Sequence, residues 1–312
     1  MAAQSSSSSQ PASTPAAAPW RAQFLSDISQ MDQPSFTFTS LHHSSSGVVP
    51  RGRTCIYRGL WASLPPNDKN TAKRNPNLFE SDMPVLTSDA RMAKVPELYA
   101  SLPSSANSNG NHASDADVSH SGGGGPVEAM FWAVPTGTQW RIRGRAWVLA
   151  ANDISGSSEG AQAVRTALLA RMRAASDKSS DDSNGNGNSN SNSNGQQDGD
   201  WDWEREVNAQ FGNLGPGMRG SFKNPSPGTP RANAPKAGEG LGQKVGDELL
   251  EDEIARRNFR VVVIVPEEVD LVNLKDPADQ RRWLYTYVGE GAQASKPGAK
   301  IEGEWEVVEL WP

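Results

Sequence analysis

The sequence predicts a mainly β (α+β) protein, an antiparallel barrel or sandwich with a few peripheral helices and long disordered inserts. About seven short apolar or alternating runs stand against a few stretches with helical spacing. Hydrophobic residues make up 36% of the 312-residue chain, which also contains 29 Gly and 22 Pro. This deficit is local, because residues 176–200 contain no aliphatic or aromatic side chain whereas Phe259–Val265 is almost wholly apolar. The composition therefore indicates one modest domain that carries polar inserts.

The predicted domain spans residues 20–312 and is interrupted by flexible inserts near 103–126, 176–200 and 224–246. The first insert ends in the glycines Gly122–Gly125. Residues 1–19 are rich in Ser, Ala and Pro and are interpreted as a disordered leader, with a transit peptide as the alternative. The remaining residues, on the order of 220, suffice for one hydrophobic core.

The ordered segments read mostly as strands. Trp20, Phe24, Ile28 and Met31 recur at helical spacing and predict an amphipathic opening helix. Further helices are predicted at Gly160–Arg173 and Trp201–Phe211. Alternation and β-branched content predict strands at Ser35–Leu41, Thr54–Ala62, Glu128–Val134, Gln139–Leu149, Phe259–Val265, Val269–Leu274, Arg282–Val288 and Trp305–Leu310. Within Gln139–Leu149, a polar face of Gln and Arg alternates with an apolar face that includes Trp140 and Ile142.

Composition and missing motifs exclude several classes of protein. Cys55 is the single cysteine, so no intrachain disulfide forms. Because it lies in a predicted apolar strand, we expect its side chain to be buried as a small hydrophobic group. A net charge of -6 and a pI near 5.4 argue against nucleic-acid binding. The apolar run Val261–Val265 is far shorter than the ~20 residues of a membrane span. No signal-peptide pattern, phosphate-binding Walker loop or zinc-ligand spacing is present, so the sequence predicts a cytoplasmic protein without a metal.

Basic and hydroxyl side chains gather at two strand ends. Arg51–Gly59 contains three arginines, and Thr87–Lys94 offers two hydroxyls followed by two cations. Such groups converging at a strand end form a cradle for a phosphate. The alternative is that these arginines only cover an exposed sheet face with their stems. Both interpretations stay open on composition alone.

The same segments resemble, in order and spacing, the pyridoxamine 5'-phosphate oxidase family of FMN-binding split β-barrels. Arg53–Arg58 is similar to the family strand Arg-x-Val-Leu-Leu-Lys, and Thr87–Lys94 to the segment Tyr-Thr-Asn-x-x-Ser-Arg-Lys that holds the flavin phosphate. Gln139–Gly144 resembles the strand Gln-Val-x-Val-x-Gly. Arg282–Tyr285 and Trp305–Pro312 resemble the ending Arg-Phe-Leu-Tyr…Trp-x-x-x-Arg-Leu-x-Pro. The resemblance reaches from about Phe36 to the last residue and skips the inserts.

This resemblance implies FMN as the cofactor, held between the two protomers of a homodimer, and a small-molecule substrate. It implies no catalytic residue. The cofactor-binding residues carried over from the family motifs are Arg53, Thr54, Cys55, Ile56, Arg58, Thr87, Ser88, Arg91, Lys94, Gln139 and Arg282.

The sequence departs from the family on the substrate side. Ala278 and Gln280 stand where family members have the Arg and His that hold the pyridoxal substrate, and Val272 stands in place of a Trp beside the flavin. Arg58 stands where family members have a lysine that contacts the substrate phosphate. The planar guanidinium of arginine thus replaces the compact ammonium group of lysine. The chain therefore resembles a divergent branch that keeps the FMN half of the site.

Three hypotheses follow from these residues. The first is an FMN-dependent oxidoreductase of unknown substrate, in which the flavin carries the redox chemistry. The second is a non-catalytic FMN-binding module, a carrier, sensor or scaffold, because the substrate-side Arg and His are missing. The third is a β-barrel without a ligand that presents its disordered arms to other proteins.

Overall fold

The computed structural model describes residues 15–100, 120–175 and 201–312. Most of the predicted leader, most of the first insert and the whole of the second, at 1–14, 101–119 and 176–200, lie outside the described residues. The disordered leader predicted at 1–19 ends too late, because Ala18 is buried in the core and its N–H donates to Asp82 Oδ2 at 2.8 Å. The helices are α1 Arg21–Ser29, α2 Lys94–Ala100, α3 Glu159–Leu169, α4 Trp203–Gly212, α5 Pro216–Ser221 and α6 Glu253–Asn258. The strands are β1 Ser35–Ser44, β2 Gly47–Ile56, β3 Phe79–Ser81, β4 Val85–Asp89, β5 Gly122–Ala133, β6 Thr138–Leu149, β7 Met172–Ala174, β8 Phe259–Asn273, β9 Arg281–Tyr287, β10 Lys300–Glu302 and β11 Trp305–Leu310.

Six strands form a closed antiparallel barrel. The pairing runs β2–β1–β5–β6–β8, and β4 pairs with β8 on the other side. The ring closes where β4 meets the end of β2, because the Arg58 N–H donates to the Val85 carbonyl at 2.8 Å and the Val85 N–H donates to that of Gly59 at 2.9 Å. The second half of β8 continues the sheet outward through β9, β11 and β10. The mainly β fold that the sequence predicts is confirmed, and a barrel rather than a sandwich is formed.

Two hydrophobic cores lie on opposite sides of the barrel wall. The inner core fills the barrel and includes Phe36, Phe38, Trp140 and Ile264. The outer core lies between the wall and the helices α3, α4 and α6, and includes Val261 and Val263. Because β8 alternates its side chains between the two cores, its first half is apolar on both faces. That explains the unbroken apolar run in the sequence.

Helix α2 covers one end of the barrel. Its Val95 and Leu98 are fully buried and belong to the inner core. The neighbouring start of β5 accommodates this helix through glycines: a Cβ on Gly125 would lie 2.7 Å from the Leu98 carbonyl oxygen. The prediction that Gly122–Gly125 close a flexible insert is therefore wrong. These glycines are buried in β5, where close packing requires the absence of a side chain.

Three other element predictions need correction. β2 runs from Gly47 to Ile56, so the strand predicted at Thr54–Ala62 begins and ends earlier. The two strands predicted at Phe259–Val265 and Val269–Leu274 are one strand, in which Pro266 lies at a bulge opposite Gly144. Helix α3 ends at Leu169, and the residues after it form β7.

The third predicted insert, 224–246, contains no helix or strand. It is nonetheless attached to the body of the protein, since Val245 is fully buried and a Cβ on Gly220 would lie 1.9 Å from the Gln243 carbonyl oxygen. Among the described residues, no helix is long and apolar enough to cross a membrane.

Candidate functional site

Lys94 is a buried cation at the barrel end covered by α2. Only 8% of its surface is exposed, and its Nζ donates to the Ser88 Oγ at 3.2 Å. Within the described ranges no carboxylate lies within 4 Å of this ammonium group. Burial lowers the pKa of Lys94, the more so because the Arg53 charge is close. A buried ammonium without a carboxylate is costly, and it is a group that attracts an anion.

Arg53 lies beside Lys94 on the inner face of β2. Its Nη1 donates to the Ser40 Oγ at 2.6 Å and its Nη2 to Glu97 Oε2 at 2.9 Å. Cys55, two residues on, is also on this face and is a buried free thiol. Burial raises the pKa of Cys55, against the opposing effect of the Lys94 and Arg53 charges. Four predicted residues, Arg53, Cys55, Ser88 and Lys94, therefore come together, and we call them the barrel-end group.

Arg58 lies just past the end of β2, where the ring closes. Its Nε is buried and makes no hydrogen bond with the described part of the chain. Burial lowers the pKa of this guanidinium. Like Lys94, Arg58 is a desolvated cation without a carboxylate among the described residues.

A second set of predicted residues lies on the outer face of the sheet. Gln139 alternates with the buried Trp140, and Thr54 and Ile56 alternate with the buried Cys55. Gln139, Val272 and Arg282 are adjacent in register across β6, β8 and β9. We call the predicted residues on this side, which are Thr54, Ile56, Gln139 and Arg282, the outer-face group.

Charges on this outer face are paired. Arg282 binds Asp270 with two hydrogen bonds, at 3.0 and 2.7 Å. Glu128 accepts from both Arg141 and Arg143. Gln139, by contrast, makes no side-chain hydrogen bond with the described residues, so its amide is available to a ligand. The predicted polar face of β6 is confirmed, because its arginines alternate with buried residues.

Besides Arg58, two predicted residues belong to neither group. Thr87 is on the same face of β4 as Val85, which packs in the outer core. Arg91 forms two ion pairs, with Asp89 and Glu239, and also donates to the carbonyls of Phe222 and Asn224. Arg91 therefore attaches the turn before α2 to the segment 222–239, and its guanidinium does not face Lys94.

Ser40 and Glu97 are site residues that the sequence reasoning missed. Ser40 continues the inward positions of Phe36 and Phe38 on β1, yet it is polar and 1% exposed. A polar residue at an apolar position of an alternating strand is the signal that predicts it. Glu97 gives no such signal, because its partners come from β1 and β2.

The fold and these groups define a barrel protein with a buried cationic site at one end. Residues 17–150 match the family model described as "Pyridoxamine 5'-phosphate oxidase, FMN-binding domain". This match covers less than half of the chain, and it supports the resemblance predicted from the sequence. The matched stretch contains every predicted cofactor residue except Arg282.

Two solved structures are similar to the chain. A pyridoxamine 5'-phosphate oxidase-related, FMN-binding protein from Nostoc punctiforme is 15% identical, with a TM-score of 0.48, 95% of this chain and 100% of the other covered. PhzG from Burkholderia lata, in complex with tetrahydrophenazine-1-carboxylic acid, is 11% identical, with a TM-score of 0.37, 94% of this chain and 89% of the other covered. No curated protein matches the chain.

The described residues fit the phosphate of FMN. A phosphate monoester carries ≈ −1.5 to −2 charges at pH 7, and it accepts charge-assisted hydrogen bonds. Lys94 is a desolvated cation with no carboxylate within 4 Å in the described ranges, and the Ser88 hydroxyl and the Arg53 charge lie beside it. A surface depression of about 400 Å³, bounded by Lys73, Asn208 and Arg256, contains none of the predicted residues.

Proposed function

We propose that this protein binds FMN by its phosphate at the barrel end and acts as a flavin-dependent oxidoreductase on a small-molecule substrate. The observation that carries the proposal is Lys94, a cation that is 92% removed from solvent and has no carboxylate partner in the described ranges. The family of residues 17–150 supports FMN as the anion.

The proposal gives each group a separate task. Lys94 and the neighbouring Arg53 balance the phosphate charge, and Ser88 donates a hydrogen bond to it. Gln139 orients the ring system through its unused amide. Bound FMN supplies the redox chemistry, and the protein supplies anchoring, orientation and exclusion of water. No acid or base is assigned, because hydride transfer to a flavin requires positioning above all.

We further propose that two copies of the chain form the cofactor site. The barrel-end group faces inward whereas Gln139 and Arg282 face outward, so one chain leaves the predicted residues on two surfaces. The outer face also carries Trp132 and Leu310, whose surfaces are 43% and 37% exposed. Apolar side chains of this kind on a sheet face suit contact with a second copy.

A non-catalytic FMN-binding module is the second candidate. Ala278 and Gln280 lie in the exposed loop between β8 and β9, and neither supplies a charge for a substrate. On either candidate we expect little or no turnover of pyridoxamine phosphate. Release of hydrogen peroxide from that substrate at about 1 s⁻¹ or faster would contradict this expectation.

The first experiment is the visible absorption spectrum of the purified full chain, followed by that of the supernatant after heat denaturation. We expect a yellow protein that releases FMN in near one-to-one ratio. The apoprotein is then titrated with FMN and with riboflavin, which lacks the phosphate. A colourless protein that does not bind added FMN contradicts the proposal. Equal affinity for FMN and riboflavin would show that the phosphate does not contribute to binding.

The two candidates are separated by reoxidation kinetics. The bound flavin is photoreduced without oxygen, and candidate electron acceptors are added one class at a time. Fast reoxidation by a small molecule supports the oxidoreductase. Absence of reoxidation by every class, with FMN still bound in stoichiometric amount, supports the binding module.

A further inference from the structure

Glu97 places a carboxylate inside the cationic end of the barrel. Its side chain is 4% exposed. Its Oε2 accepts hydrogen bonds from the Ser40 Oγ at 2.5 Å and from Arg53 Nη2 at 2.9 Å. Its Oε1 lies 3.3 Å from His42 Nδ1 and 3.8 Å from Arg51 Nη1. The carboxylate thus accepts from one of the two terminal nitrogens of Arg53, the arginine that the family motif assigns to the cofactor.

Glu97 and Lys94 also share one face of α2. They are three residues apart in the helix, and residues at this spacing are neighbours on its surface. The pKa of Lys94 is lowered by burial, which outweighs the opposing effect of the Glu97 charge. An anion that binds Lys94 therefore meets the negative charge of Glu97 at close range, in a site that water screens poorly.

We infer that Glu97 is a built-in competitor of the FMN phosphate, which sets the affinity of the barrel end for phosphorylated flavin. This inference rests on the proposed function, because it requires the phosphate to bind beside Lys94. The carboxylate holds Arg53 in the empty site, and it repels the phosphate in the occupied one. Both effects lower affinity, and neither acts on a flavin without a phosphate.

The test replaces Glu97 with glutamine in the full-length chain. Glutamine keeps the size and an oxygen for Ser40 but removes the charge. We expect the Glu97→Gln variant to bind FMN about tenfold more tightly, the change that one lost charge interaction of this kind produces. Its riboflavin affinity should stay within about twofold of the wild type. Quenching of flavin fluorescence measures both dissociation constants.

Glu80→Gln is the matched control. Glu80 pairs with Arg173 at 2.8 Å, away from the barrel end, so its loss changes the same total charge. We expect no change in its preference for FMN over riboflavin. If Glu80→Gln tightens FMN binding as much as Glu97→Gln does, the effect is one of net charge and the inference is wrong.

Two further variants keep the test decisive. In an Arg53→Met background, Glu97→Gln should give a smaller gain in FMN affinity, because Glu97 no longer holds Arg53 and only its repulsion of the phosphate is removed. Glu97→Asp, which keeps the charge and withdraws it by one methylene, should give a smaller gain and serves if the glutamine variant does not fold. FMN binding that is unchanged or weaker in both Glu97 variants overturns the inference but leaves the proposed function standing. A wild-type chain that binds no FMN overturns the proposed function itself.

Discussion

Cations on the outer face of the sheet have carboxylate partners, whereas two cations of the barrel do not. Arg282 has Asp270, and Arg143 has both Glu128 and Glu268. Lys94 and Arg58 are more deeply buried than these arginines, and within the described chain neither has an acidic partner. Burial without pairing costs stability, so the two regions must be maintained for different reasons.

This difference in pairing distinguishes a candidate binding site from ion pairs that only stabilise the fold. Paired surface arginines satisfy their own charge, and exposed pairs of this kind contribute at most about 1 kcal/mol each. A desolvated and unpaired cation is a destabilising feature that a ligand relieves. By this criterion we propose that the barrel end is the binding site and that the ion pairs of the outer face are structural.

Lys94→Met is the variant with the largest expected effect. Methionine matches the length of lysine but carries no charge, so FMN affinity should fall roughly ten- to a hundredfold, as one lost charge-assisted hydrogen bond implies. The melting temperature of the apoprotein should rise, since a buried charge is removed. Fluorescence titration and differential scanning calorimetry measure the two effects.

Lys223→Met is the paired-cation control. The Lys223 side chain is 18% exposed, so it is less buried than Lys94, and it forms an ion pair with Asp252 at 2.6 Å. Its loss should lower the melting temperature and leave FMN affinity unchanged. If both lysine variants lose stability and neither loses FMN affinity, the proposed distinction between ligand-binding and structural cations is wrong.

The sequence predicted the wall of the barrel better than the contents of its end. Alternation placed β1, β6 and β11 within a few residues, because side-chain period reports directly which face is buried. It did not predict that Arg53 meets Glu97 or that Arg91 turns to Glu239, because those partners are distant in the chain. The prediction of a flexible segment at Gly122–Gly125 was wrong, because glycine is favoured both in flexible loops and where backbones pack closely.

The affinity for FMN should depend on pH through Lys94. Its pKa in the folded protein lies below the ordinary lysine value, chiefly because of burial. As pH rises through this lowered pKa, Lys94 loses its charge and FMN affinity falls, while apoprotein stability rises because the buried charge disappears. Titrations between pH 7 and about 9.5 should show this fall in FMN affinity. It should occur at a lower pH than for a lysine with the usual pKa of about 10.4.

Lys94→Met provides the reference for that pH profile. The variant should show a flat FMN affinity over the same range. Burial raises the pKa of Cys55, so its thiol titrates above its ordinary value and does not mimic Lys94. A wild-type profile that is also flat would mean that the phosphate does not contact the Lys94 ammonium.

Arg282→Met tests the outer face with a smaller expected effect. The substitution leaves Asp270, which is 3% exposed, with Arg141 at 3.9 Å as its remaining ion pair among the described residues. We expect a loss of about 1 kcal/mol in unfolding free energy, measured by urea denaturation. Arg281→Met is the control, because its pair with Glu309 is half exposed on both sides and should contribute nothing measurable. A hundredfold loss of FMN affinity in Arg282→Met would show that this arginine also binds the cofactor, and the ion pairs of the outer face would then not be purely structural.

Glu128→Gln has the smallest expected effect and a distinctive pH dependence. Burial raises the pKa of Glu128, but the hydrogen bonds from Arg141 and Arg143 outweigh it, so the pKa of this carboxylate is lowered overall. A carboxylate with a lowered pKa stabilises the fold above its ordinary value near 4.3, and this stabilisation is lost as pH falls through the lowered value. The variant should therefore be less stable than the wild type at pH 7, by less than about 1 kcal/mol, and the two should converge at low pH.

Melting temperatures compared between pH 3 and 7 measure this convergence. Glu268→Gln is the control, because Glu268 pairs with Arg143 alone among the described residues. A difference that persists unchanged at pH 3 would show that Glu128 acts by packing, and the outer face would then owe its stability to something other than its ion pairs.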